Sequence, residues 1–489
     1  MQLYVNNYDV IIIGGGITGA GTARDCAMRG LRAVLLDAGD FAAGATGRNQ
    51  GLLHSGARYA VGDPASAREC ARENEILCRI APYCVERTGG LFITLPEDDE
   101  AGYGLGYRDR FVASCRDAGI EAEALDPAGA LDVEPKVNPA LIGAVKVPDG
   151  SVEPFRLCAA NLLDAASRGV DIRFNTEFVD FVRSGDAVTG VRARDRFNGA
   201  VSVFYAPVVL NAAGIWCGAV ARKAGIDINM CPSKGALLIF ADRVNRMVIN
   251  RCRPAGDGDI LVPAGRVCIA GTTSTKVPED QWTCPEVSRE EVELLLSSSA
   301  RLCPSLSSVG MLRAYAGVRP LVAVGDDATG RGVSRGMVCL DHAGRDGVDG
   351  LVTITGGKLM TYRLMAEKAA DIACAKLGLD SRCRTADEPL PPFNLSDGGP
   401  SEIVCRCENV GSAEVRGAVK KLGIRTMSGL RRCTRIGMGL CQGSRCGSRT
   451  AGVLAGALGD SALAPALEKE GKHERSRGIG PLSPRAPKK

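Results

Sequence analysis

Val10-Ile11-Ile12-Ile13-Gly14-Gly15-Gly16-Ile17-Thr18-Gly19 decides the fold of this chain. Four apolar residues in a row read as a strand buried on both faces, and the glycines that follow allow a tight turn into a helix. Ala20 to Arg29 is helix-compatible and stops at Gly30; Ala33 to Leu36 is a second apolar strand, ending at Asp37. Strand, glycine turn, helix, strand and terminal acid together form a βαβ dinucleotide-binding unit, whereas a lone GxGxxG would say little. Gly14 permits the turn, Gly16 admits a pyrophosphate, Gly19 lets helix pack on strand, and Asp37 is placed for the adenosine ribose hydroxyls.

At 489 residues and 51.2 kDa the chain can build more than one core. Further strands are expected at Gly143–Val147, Val208–Ala212, Ile260–Val262, Val267–Ala270, Met337–Leu340 and Leu351–Thr355, the last running through Gly356, Gly357 and Lys358 into a helix to about Leu377. Residues 389–403 are rich in Pro, Gly and polar side chains and read as a linker between a catalytic part, 1–388, and a small module, 404–458. In the module, Ser412 and Ser428 are the expected helix caps, and Cys446 to Leu458 a third helical stretch; residues 459–489 read as a flexible tail.

No apolar run approaches the roughly 18 residues of a membrane span, and the first residues lack a basic region followed by an apolar one, so a cytoplasmic location is expected. Of twenty cysteines, fifteen are scattered and read as small core residues in a reducing compartment. Cys405, Cys407, Cys441 and Cys446 alone have ligand-like spacing, and four thiolates suit a [2Fe-2S] cluster or a zinc ion. Residues 401–450 hold ten Lys or Arg against three Asp or Glu, a net +7, while the first 400 residues are acidic. That basic module has no Phe, Tyr or Trp for base stacking, so stabilising an anionic cluster or docking a partner explains its charge better than nucleic acid does.

Only one GxGxxG follows a strand. The small-residue loop from Asp37 through Thr46 to Asn49 suits an extended flavin nucleotide, and Val209-Leu-Asn-Ala-Ala-Gly-Ile-Trp216, with Gly214, is similar to the second nucleotide-contacting segment of glutathione-reductase-type FAD folds. FAD is therefore preferred over NAD.

With Gly47-Arg-Asn-Gln-Gly-Leu-Leu-His-Ser-Gly-Ala-Arg-Tyr59, Gly271-Thr-Thr-Ser-Thr275, Ala314-Tyr-Ala-Gly-Val-Arg-Pro-Leu321 and Thr355-Gly-Gly-Lys-Leu-Met-Thr-Tyr-Arg363 added, the chain resembles the A subunits of the anaerobic glycerol-3-phosphate dehydrogenase family, within the FAD-dependent, D-amino-acid-oxidase-like superfamily. The likeness resumes at Val404-Cys-Arg-Cys-Glu408 and Thr434-Arg-Ile-Gly-Met-Gly-Leu-Cys-Gln-Gly443, which resemble a bacterioferritin-associated-ferredoxin-like [2Fe-2S] domain and favour iron–sulfur over zinc. The expected architecture is α/β: a glutathione-reductase-type, Rossmann-like FAD domain with an interleaved antiparallel-sheet substrate part, plus a small helical [2Fe-2S] domain. The resemblance implies oxidation of sn-glycerol 3-phosphate to dihydroxyacetone phosphate. It also implies two partner subunits, a membrane anchor and a further iron–sulfur protein, leading to quinone. Attachment to the inner face of the cell membrane would then come through those partners.

His54 is one of three histidines, and an imidazole suits acceptance of the C2 hydroxyl proton, although it could equally hydrogen-bond the flavin or a loop. His342 reads as structural. The resemblance places Arg58, Arg319, Arg335 and Lys358 in the substrate pocket, where guanidinium forks suit phosphate. Arg319 is also set among apolar neighbours, where an unpaired charge would be costly. Tyr59 adds a hydroxyl or packing. Gly356 and Gly357 either aim the next helix and Lys358 at the flavin or merely allow the turn. Cys433 stands where the family commonly has a basic residue and reads as a helix-face cysteine, and linker and tail are shorter than in longer members. A related flavoprotein acting on a 2-hydroxy acid or an amine, and a flavin and cluster electron carrier without a substrate, are the competing readings.

Overall fold

The computed structural model describes residues 6–322 and 336–482. Its organising element is a six-stranded sheet formed by β1 (Val10–Ile13), β2 (Ala33–Leu36), β3 (Asp171–Arg173), β4 (Val208–Asn211), β5 (Met337–Asp341) and β6 (Leu351–Gly356), in the order β3-β2-β1-β4-β6-β5. All neighbours are parallel except β5 on β6, with Val10 opposite both Ala33 and Val208, and Val209 opposite Leu351. The unbroken apolar run of β1 follows from its position: Val10 and Ile12 join the helical core on one face, and Ile11 and Ile13 pack with Phe181, Val191 and Phe204 of an antiparallel meander on the other.

The helical face is made by α1 (Ile17–Met28), α2 (Pro154–Ser167) and α3 (Tyr362–Lys376). Gly19 has to be glycine, because an added Cβ would lie 1.8 Å from the Gly14 carbonyl oxygen. Two buried ion pairs register the helices. Arg24 of α1 donates to Asp164 of α2 at 2.7 Å, and Arg363 of α3 makes a two-bond fork with Glu73 at 2.6 and 2.9 Å. Loss of either partner would leave a charge stranded in the core, at a cost of about 3 to 5 kcal/mol.

A second, nine-stranded, largely antiparallel sheet stands beside the first. Its long strand Met230–Phe240 pairs with Met311–Val322 along most of its length, bringing Ser233 opposite Arg319, and it also pairs with Val267–Gly271. A short sheet, Leu52–Leu53 with Gly150–Val152 and Val85–Glu86, fixes the segment that leads into His54.

The C-terminal part differs from its expected form in four respects. Residues 389–402 have no regular helix or strand, yet Leu390 and Leu395 are buried and Tyr83 Oη donates to the Pro391 carbonyl at 2.6 Å, so the linker is a fastened strap. Beyond it lie α4 (Ser412–Leu422), α5 (Met427–Thr434), α6 (Gly447–Ala457) and α7 (Ala464–Ile479). Thr426, not Ser428, caps α5 by accepting from Gly429 N–H at 2.9 Å. Val415, Leu430 and Leu454 of the module belong to the same apolar cluster as β1 and α2, so it is not a detached unit. The flexible tail expected over 459–489 is helical over 464–479, where α7 is pinned by Glu470 accepting from Met427 and Ser428 N–H at 3.0 Å and by Glu474 meeting Arg313. Among the described residues no helix is long and apolar enough to cross a membrane.

Candidate active site and cluster centre

One cavity of about 810 Å³ is lined both by Gly14, Gly16, Asp37 and Thr46 and by His54, Arg58, Tyr59, Arg319 and Lys358. Residues more than 300 positions apart thus meet because β1, β4 and β6 all end, and the second sheet begins, at this opening. Gly214, Gly356 and Gly357 also line it, while Gly19 stays behind at the helix–strand contact. Arg335 lies outside the described residues.

The dinucleotide part fits FAD. Asp37 accepts from Gly15 N–H at 2.6 Å and Gly39 N–H at 2.7 Å, which holds its carboxylate at the end of β2; burial pushes its pKa up against those two bonds. Thr46 Oγ1 accepts from Ile17 N–H at 3.0 Å, placing a hydroxyl at the N-terminus of α1, where backbone N–H groups and the helix dipole favour phosphate. Gly356 and Gly357 take φ of +75° and +65°, a conformation that carries the chain from β6 around the cavity to Lys358.

The remaining wall is cationic. Lys358 Nζ is buried, lies 4.7 Å from the Tyr59 ring centroid and has no hydrogen-bond partner among the described residues. Tyr59 meets the buried His54 edge-on, with ring centroids 5.2 Å apart. Arg58 donates to Asn250 Oδ1 at 3.3 Å and stands 3.9 Å from Asp259, which also pairs with Arg253 at 2.7 Å. Arg319 lies across Gly235 and is braced by Thr272 Oγ1 at 2.5 Å, the Thr273 carbonyl at 3.0 Å and Ser233 Oγ at 3.2 Å. Sequence reasoning missed Asn250, Asp259, Thr272 and Thr273 as orienting residues. The threonines fall in a motif already singled out, but nothing local marks Asn250 or Asp259.

Two other groups near the expected site residues are accounted for locally. His342 is fully buried between Asp346 Oδ2 at 2.6 Å and Thr353 Oγ1 at 2.9 Å, away from the cavity. Ser55, next to His54, donates N–H and hydroxyl to Asp149 Oδ1 at 2.6 and 2.8 Å; burial pushes the Asp149 carboxyl up to about 6.

The four cysteines come together in the module as pairs. Cys407 Sγ is 3.8 Å from Cys441 Sγ, and Cys446 is the neighbour that acts most strongly on Cys405. Cys446, helped by backbone N–H groups of Gly437, Glu408 and Cys407, pulls Cys405 down to about 5 against burial. Amide groups of Arg445 and Gly443 likewise favour the Cys441 thiolate. Among the described residues no three Cys, His, Asp or Glu side chains close on one ion position. Four cysteines in two pairs, with amide dipoles around them, fit a [2Fe-2S] cluster, which takes four thiolates. Cys433 is buried in α5, where its thiol approaches the Leu430 carbonyl at 3.5 Å and burial pushes its pKa up.

Comparison with known proteins agrees with this geometry. The family model of FAD dependent oxidoreductases matches residues 9–363, and that of the BFD-like [2Fe-2S] binding domain matches residues 403–455. The A subunit of the anaerobic glycerol-3-phosphate dehydrogenase of Escherichia coli (strain K12) is 50% identical, over 97% of this chain and 93% of its own. The A1 subunit of the Haloferax volcanii enzyme is 40% identical, over 91% and 82%. Among solved structures, the glycerol-3-phosphate dehydrogenase from Bacillus halodurans complexed with FAD superposes with a TM-score of 0.70 at 20% identity, covering 98% of this chain and 97% of that one. Glycine oxidase from Geobacillus kaustophilus reaches 0.62 at 22% identity, over 80% of this chain and all of the other. The chain therefore belongs to the FAD dependent oxidoreductase family, among its anaerobic glycerol-3-phosphate dehydrogenase A subunits, with a BFD-like [2Fe-2S] binding domain following the oxidoreductase domain.

Proposed function

We propose that the cavity oxidises the C2 hydroxyl of sn-glycerol 3-phosphate to the ketone of dihydroxyacetone phosphate. The cofactors are FAD and a [2Fe-2S] cluster. FAD supplies the two-electron acceptor for the C2 hydride, and the cluster supplies a one-electron relay.

The observation that carries the substrate reading is Lys358. Its buried ammonium has no hydrogen-bond partner among the described residues, only the longer-range pull of Asp63 and Glu69, and Arg58 and Arg319 line the same cavity. Three cations in one pocket suit a phosphate dianion. Asn250, Asp259, Thr272 and Thr273 hold the two guanidinium groups in place before substrate arrives, so little ordering is needed on binding. His54 is the proton acceptor for the C2 hydroxyl, and its edge contact with Tyr59 sets the plane of the imidazole. The turn at Gly356 and Gly357, with Lys358, places positive potential where charge develops during reduction. Arg335 is assigned to the phosphate end on the family resemblance alone.

Cys405, Cys407, Cys441 and Cys446 hold the relay, and the exposed Cys407 marks the side from which electrons leave. The chain works as part of a larger assembly, in which a membrane anchor and a further iron–sulfur subunit pass electrons to quinone at the inner face of the cell membrane. Anaerobic addition of glycerol 3-phosphate to the purified holoprotein tests the reading. Bleaching of the flavin band supports it; bleaching by a 2-hydroxy acid or an amine but not by glycerol 3-phosphate rejects it.

A further inference from the structure

A second cavity, of about 1240 Å³, shares the loop Arg48–Gln50 with the dinucleotide cavity as a common wall. Its other walls include α5, α7, the strand Met311–Val322 and the segment Cys407–Asn409 that carries one of the four cluster cysteines. Ile239, Ile269, Ala314 and Ala316 give part of it an apolar lining.

The charges in this cleft do not balance. Eight arginines line it against six carboxylates, Glu86, Glu153, Asp242, Glu286, Glu408 and Glu474, and the excess lies at the α7 end, where Glu474 accepts from Arg313 Nη2 at 2.5 Å and has Arg477 at 3.9 Å. Burial pushes that carboxyl up, but Arg313, Arg431, Arg477 and Arg432 together hold it below its ordinary range. Arg432 has a further acid, Asp40, at 3.7 Å. Arg431 and Arg48 have no carboxylate partner among the described residues: their hydrogen bonds go to Gln442 Oε1 at 3.2 Å and to the Thr283 carbonyl at 2.9 Å. Arg313 Nη1 is buried and hydrogen-bonds nothing described. Burial and the neighbouring guanidinium groups depress Arg431 to about 9 and Arg48 to about 10. Arginine keeps its proton in proteins, so both groups stay charged there despite their burial.

We propose that this cleft binds an organic phosphate, its phosphate held by Arg431 and the free edge of Arg313 beside Arg48, its apolar body lying along the Ile239 and Ile269 wall. A dianion with several acceptor oxygens satisfies guanidinium forks that Glu474 alone leaves unfilled at the α7 end. A cleft of this size with a partly apolar lining suits a molecule larger than inorganic phosphate. The site is separate from the cavity containing Lys358, and the inference does not depend on the dehydrogenase reading.

Calorimetric titration of full-length protein carrying FAD and cluster, in the presence of excess glycerol 3-phosphate, tests it with two probes. ADP represents a soluble nucleotide, and a short-chain, micelle-free phosphatidylglycerol represents a lipid headgroup. At least one probe should bind at one site per chain, weaken with added salt, and lose about tenfold or more in affinity in Arg431→Gln. Arg477→Gln, on a more exposed edge of α7, provides a second variant should Arg431→Gln fail to fold, and it should weaken binding in the same direction. Absence of binding by both probes to the wild type, as expected if an acidic protein segment fills the cleft, overturns the proposal. So does affinity unchanged in both variants, or binding abolished by glycerol 3-phosphate.

Discussion

The ammonium of Lys358 stands 4.7 Å from the centroid of the Tyr59 ring, buried and without a hydrogen-bond partner among the described residues. A ring face attracts a cation but satisfies none of its three donors, so the group is held ready for an anion. Lys358→Met should lower kcat/KM for glycerol 3-phosphate by about 10²-fold, near 3 kcal/mol, without loss of FAD. Stopped-flow flavin reduction checks this, and wild-type reduction would remove Lys358 from the site.

Arg319 should behave differently, because its guanidinium is braced by Ser233, Thr272 and Thr273. Arg319→Lys keeps the charge but loses the fork that both bracing and phosphate recognition use. Its KM for glycerol 3-phosphate should rise at least tenfold, and Arg319→Leu should lose more. Equal activity of the Lys variant and wild type would show that the fork has no role.

Thr426 Oγ1 meets Asp40 Oδ2 at 2.5 Å while also capping α5, so one hydroxyl ties the cluster module to the loop that follows β2. Thr426→Val should cost about 2 kcal/mol in chemical denaturation. Unfolding should remain a single transition, because the module shares the apolar cluster of the flavin domain. Two separated transitions in the wild type would show that module and domain are independent.

Asp149 supplies a pH dependence. Burial raises its carboxyl from 3.8 to about 6, so the folded chain binds this proton more tightly than the unfolded chain does. Its stabilising contribution is complete below about pH 4 and is lost as pH rises through 6, at most roughly 3 kcal/mol in all. Asp149→Asn cannot titrate. The stability of the wild type relative to this variant should therefore fall between about pH 4 and pH 6 and be level above; a constant difference would mean that Asp149 does not titrate in this window.

What is legible in the chain alone is local. The run Val10–Ile13, the glycines after it, Asp37 and the spacing of Cys405, Cys407, Cys441 and Cys446 each carry their meaning within a few dozen residues. The bracing of Arg58 by Asn250 and Asp259 does not, since those partners lie about two hundred residues away, in and just before strands of the second sheet. The strap and α7 escape a sequence reading for a related reason. Pro and Gly around Leu390 and Leu395, and charge around Leu467, hide the few apolar residues that anchor them. The docking of α7 rests instead on Glu470 and Glu474, whose partners lie in other elements.

The most direct test of the account is anaerobic reduction of the holoprotein by sn-glycerol 3-phosphate, followed by flavin absorbance and by electron paramagnetic resonance of the cluster. Glycerol 3-phosphate should bleach the flavin and produce the signal of a reduced [2Fe-2S] centre, and Cys441→Ser should keep the bleaching and lose the signal. A flavin that stays oxidised with glycerol 3-phosphate in the wild type, though dithionite reduces it, would contradict the account.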